Sequence, residues 1–113
     1  MKRLMSLLPW QKRQKLMDEL ANRIATRSFN SVWQRVSGQC MRMCPAEARG
    51  YVRVRAVPVV AREMQVAKAH QQYDSATRTQ IFEASLQNVV LQTLEKIRSI
   101  HVSPAVPEVQ RAA

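Results

Sequence analysis

The sequence predicts an all-α fold, a single-domain four-helix bundle, on three observations. Only two glycines occur in 113 residues, and the chain is rich in Ala, Leu, Met, Gln and Arg, all good helix formers. Long stretches place apolar residues at helical spacing. The single segment that alternates like a strand has no second strand to pair with. The hydrophobic fraction of 46% suits one globular core. A chain of this size buries roughly two thirds of its unfolded surface.

The first helix is expected over 9–26. Pro9 fits a first helical turn, where its missing N–H is harmless. Leu16, Met17, Leu20 and Ile24 then share an arc of about 100°. Lys15, Glu19 and Arg23 occupy the opposite side at i, i+4 spacing. A second helix is expected over 28–44, with Ser28 as its N-cap. Its stripe comprises Phe29, Val32, Trp33, Val36, Cys40, Met43 and Cys44, with Gly38 on the far side. Pro45 closes it.

Residues 46–57 read two ways. As a strand, Tyr51-Val52-Arg53-Val54-Arg55-Ala56 alternates cleanly. As a helix, Val52, Ala56, Val59, Val60 and Met64 form a stripe into which Arg49 and Arg53 intrude. A lone strand leaves backbone groups unsatisfied unless a second copy of the chain pairs with it. A helix over 46–72, bent at Pro58, is therefore predicted. The last helix, 75–101, follows Asp74 as cap and carries a stripe of Phe82, Leu86, Val89, Val90, Thr93, Leu94, Ile97 and Ile100. Leu91 and Ile81 lie off that stripe and are expected on the surface. The helical domain spans 1–102. Residues 103–113, with two prolines and no periodicity, read as a loose C-terminal tail.

Charge is divided unevenly. Residues 1–62 hold thirteen Lys/Arg against Asp18, Glu19 and Glu47, a surplus of ten; residues 63–113 hold five of each sign. A one-sided cationic field favours an anionic partner: nucleic acid, an acidic protein or an anionic membrane. Lys12, Arg13, Arg23, Arg27, Arg35 and Arg42 are candidate phosphate contacts. Arg49, Arg53 and Arg55, with Tyr51 among them, form the densest group, suited to stacking bases and binding phosphates. In the helical form Arg49 and Arg53 are expected to turn inward toward acids such as Glu63 or Glu83, or toward a bound anion. Lys2, Arg3, Lys12, Arg13 and Lys15 beside Leu4, Leu7, Leu8 and Trp10 make a basic amphipathic segment.

Cys40 and Cys44, with His70 and His101, match a Cys2His2 ligand set in number. Their spacing is not the C-x2-C of zinc modules, and both cysteines continue an apolar stripe, so core packing is the favoured reading. No cofactor or metal is expected. Eight acids, two histidines and isolated glycines give no phosphate loop, Ser/His/Asp set or carboxylate pair, so no enzyme is expected. The apolar run Leu4–Leu8 is too short for a leader, and no stretch reaches the roughly 18 apolar residues of a membrane span. Together these features suggest a cytoplasmic, non-enzymatic basic helical protein that contacts nucleic-acid backbone through its N-terminal half. The alternatives are an interaction subunit of a larger assembly, including a homo-oligomer, and a Cys2His2 metal-binding helical protein.

Overall fold

The computed structural model describes residues 10–67 and 73–102. Their regular structure is all helical: α1, Trp10–Cys40; α2, Pro45–Val66; and α3, Ser75–Val102. Each helix packs against both others, so the core lies along the axis of a three-helix bundle. Three helices replace the expected four because the first two are one.

The reason is visible in the phase of their apolar stripes. Leu20, Ile24, Ser28, Val32, Val36 and Cys40 are spaced four apart, and all are buried. A single i, i+4 row thus runs unbroken through the expected boundary at 27–28. Ser28 is not an N-cap but a core residue, whose Oγ donates to the Ile24 carbonyl at 2.7 Å. That back-bond satisfies the hydroxyl without interrupting the helix. Leu16, expected in the core, extends the same row but is exposed, and Met17 beside it is buried instead.

The connection from α1 to α2 is short. The N–H of Met43 bonds the Cys40 carbonyl, and Cys44 takes an extended conformation at the N-cap of α2. Pro45 stands at the first helical position, and the Glu47 carboxylate accepts the Cys44 N–H at 3.2 Å. Residues 51–57 are helical, as predicted. Their inward row is Ala48, Val52, Ala56, Val60 and Met64. The helix runs through Pro58 and ends at Val66, short of the expected 72. Ala67 closes it with an N–H to the Glu63 carbonyl.

The last helix starts where predicted. Asp74 accepts the Thr77 N–H at 2.8 Å, the N-cap geometry. Its buried row is Ile81, Ser85, Val89, Thr93 and Ile97, with Leu86 and Val90 beside it. Ile81, expected on the surface, is only 1% exposed, whereas Ile100, expected in the stripe, is exposed. A four-residue step overshoots a turn by about 40°, so an i, i+4 stripe winds around its helix. An averaged arc misplaces residues at both ends for that reason. Ser85 and Thr93 donate to the carbonyls of Ile81 and Val89, and no described buried side-chain polar atom lacks a partner.

The expected tail at 103–113, the basic segment around Lys2 and Arg3, and residues 68–72 with His70 lie outside the described residues. Among those described, no helix is long and apolar enough to cross a membrane.

Candidate anion-binding face

Two rows flank the core row of α1. Ala25, Phe29, Trp33, Ser37 and Met41 lie one residue after it, and Arg23, Arg27, Ser31, Arg35 and Gln39 one residue before. The aromatic flank faces α3. There the Phe29 and Trp33 rings stack at 6.4 Å, and Lys96 Nζ of α3 stands 5.1 Å from the Trp33 centroid. The arginine flank therefore faces α2. Arg23 and Arg27 indeed line a cleft of about 290 Å³ with Leu20, Ile24, Tyr73 and, from the end of α2, Val66 and Ala67.

On α2, Arg49 and Arg53 follow the core row by one residue, and Arg53 reaches Glu83 on α3 at 2.9 Å. Tyr51 and Arg55 precede it by one residue and so lie on the α1 side. The Arg55 guanidinium sits over the Tyr51 ring at 5.1 Å. Because α1 and α2 run antiparallel, Arg55 and Tyr51 come across the groove from the arginine flank of α1.

The ten candidate residues are thus divided. Arg23 and Arg27 line one cleft, and Arg35, Arg55 and Tyr51 lie on the flanks by which α1 and α2 face each other. Arg49 and Arg53 stand on the opposite side of α2. Both are exposed, not inward as the sequence suggested, because the winding stripe leaves them on its local edge. Arg42 is exposed in the α1–α2 connection. Lys12 is exposed near the start of α1, and Arg13 lines a separate α1–α3 cleft with Trp10, Asp18 and Ile81.

Among the described residues, Arg23, Arg27 and Arg35 form no ion pair, and all three side chains are exposed. The acids on this side are Glu19, one turn before Arg23 on the same row, Glu47, engaged at the α2 cap, and Glu63. The arginine row rises about 1.5 Å per residue, so Arg23 to Arg35 spans about 18 Å. Sequence reasoning named these residues without seeing that they form a row. The signal was present: all three sit one position before a residue of the same i, i+4 core series.

The cysteines do not share a helical face, since α1 ends at Cys40. Cys40 is buried and Cys44 exposed. Burial pushes the Cys40 thiol above its ordinary value. No group of three or more His, Cys, Asp or Glu that could hold a metal ion occurs among the described residues. His101, at the far end of α3, borders an apolar groove with Met43, Leu91 and Arg98. The chain matches no protein family, no curated protein and no solved structure.

Proposed function

We propose that this protein is a small non-enzymatic module that binds nucleic-acid backbone along the α1–α2 groove. The observation that carries the reading is the row Arg23, Arg27 and Arg35, unpaired among the described residues, with Arg55 and Tyr51 across from it. Guanidinium groups bind phosphate in bidentate fashion, and neutralising phosphates releases counterions. An 18 Å row offers about five phosphates at 3.4 Å along one strand. Nothing on the groove supplies a dense donor and acceptor pattern for reading base edges, so binding is expected to be weakly sequence-selective. Tyr51 supplies one ring against which an unpaired base can stack.

The test is anisotropy of a labelled single strand and a labelled duplex across a salt series. Four phosphate contacts give a log–log slope of about −3 to −4. Replacing Arg23, Arg27 and Arg35 together by Gln should weaken binding strongly and flatten that slope. Arg98→Gln on α3 should change little. Affinity indifferent to salt, or a triple variant that binds like the parent, would end the proposal.

A further inference from the structure

The alternation that made residues 51–56 resemble a strand has a second consequence: α2 is apolar on two faces. Val52, Ala56 and Val60 turn inward. On the opposite side, within an arc of about 100°, lie Gly50, Val54, Val57, Pro58 and Ala61; Glu47, tied to the Cys44 N–H, and Gln65 stand at the two ends of this strip. Val54 is 70% exposed and Val57 39%, on a helix whose inner face is already fully occupied.

Two backbone features favour another helix as the cover. Gly50 is exposed, and a Cβ there would meet nothing within 4 Å. Intramolecular packing therefore does not require glycine, which costs about 1 kcal/mol relative to Ala inside a helix. A crossing backbone can approach α2 more closely where the side chain is missing. Pro58 has no N–H, so it leaves the Val54 carbonyl without its helical donor on this same face.

The borders identify the occupant. Arg49 and Arg53 flank the strip on one side, Arg55 and Arg62 on the other, and all four are exposed. A second copy docked here would set arginines against arginines. We infer that the outer face of α2 docks an acidic amphipathic helix of another protein, its apolar strip on Gly50, Val54, Val57 and Ala61 and its carboxylates on Arg49, Arg55 and Arg62, Arg53 being engaged with Glu83. This surface shares Arg55 with the α1–α2 side but none of Arg23, Arg27 and Arg35, and does not depend on nucleic-acid binding.

The probes are two synthetic helical peptides sharing one Ala/Leu strip, flanked by Glu in the first and Lys in the second. Titration followed by amide shifts should show the Glu peptide binding, with changes centred on Gly50, Val54, Val57 and Ala61. Val54→Asp should weaken it about tenfold while leaving the melting temperature and nucleic-acid affinity unchanged. Charge reversal by Arg49→Glu with Arg62→Glu should transfer the preference to the Lys peptide. Four results would overturn the inference: no binding, equal binding of the two peptides, shifts centred on Arg23, Arg27 and Arg35, or a dimer of this chain abolished by Val54→Asp.

Discussion

The Arg53 guanidinium meets the Glu83 carboxylate at 2.9 Å, joining α2 to α3 across the edge of the core. Glu83 was one of two acids the sequence offered to Arg53, and it is the one used. The pair is nonetheless a surface pair, its side chains 45% and 54% exposed. Exposed pairs contribute at most about 1 kcal/mol, and salt screens them. Glu83→Gln should therefore lower stability by about 0.5 kcal/mol or less in 0.15 M salt. Chemical denaturation of both forms checks it; a loss of several kcal/mol would mean the ion pair is a core element.

A single α1 makes a sharp prediction at Asn30. Were 28–44 a separate helix capped by Ser28, residue 30 would lie in a first turn, where proline is tolerated. In a continuous helix, Asn30→Pro removes the bond to Thr26 and collides with its carbonyl, costing about 3 kcal/mol. Asn30 is exposed, so no packing is lost at the same time. Circular dichroism and urea unfolding should show a clear loss of helix and stability.

Gly38 is exposed within α1, and a Cβ at its position meets nothing within 4 Å. Gly38→Ala should stabilise the protein by about 1 kcal/mol. The check is an upward shift in the denaturation midpoint with an unchanged slope.

The two thiols should react at different rates. Cys44 is exposed and Cys40 buried, so a thiol reagent should modify one cysteine at once and the second only on unfolding. Burial raises the Cys40 thiol above its ordinary value of 9.0, which means the unfolded chain releases that proton first. The associated stability is complete below pH 9.0 and falls as pH rises from there toward the folded value. Cys40→Ala should remove that alkaline decline, as read from denaturation at pH 8 and about 10.

Truncating Leu86, almost wholly buried at the centre of α3, should cost far more than any of these surface changes. Leu86→Ala is expected to destabilise by about 2–5 kcal/mol. A cost below about 1 kcal/mol would place Leu86 outside the close-packed core.

Much of the architecture was legible in the residues themselves. The helical periods around Leu20, Val36 and Val89, the capping Asp74 and the helical state of 51–57 all follow from local spacing and hydrogen-bond needs. The merger of two expected helices was written in the shared phase of Ile24, Ser28 and Val32. A serine at a plausible cap position concealed it, because the same hydroxyl serves equally well back-bonded to Ile24 inside a helix. Arg49 and Arg53 were misplaced for a different reason. Averaging an i, i+4 stripe over a whole helix ignores its winding, and at each level only the local edge decides who faces inward.

By itself the sequence determined helical segments, their apolar faces and an excess of cations in the first half, since each depends on neighbours within a turn or two. Only the tertiary structure decided which flank of α1 meets α2, and hence that Arg23 and Arg27 line a cleft while Arg53 finds Glu83. Flank choice depends on which helix lies on which side of the core. That handedness is set by packing all three helices together, and no stretch of chain encodes it alone.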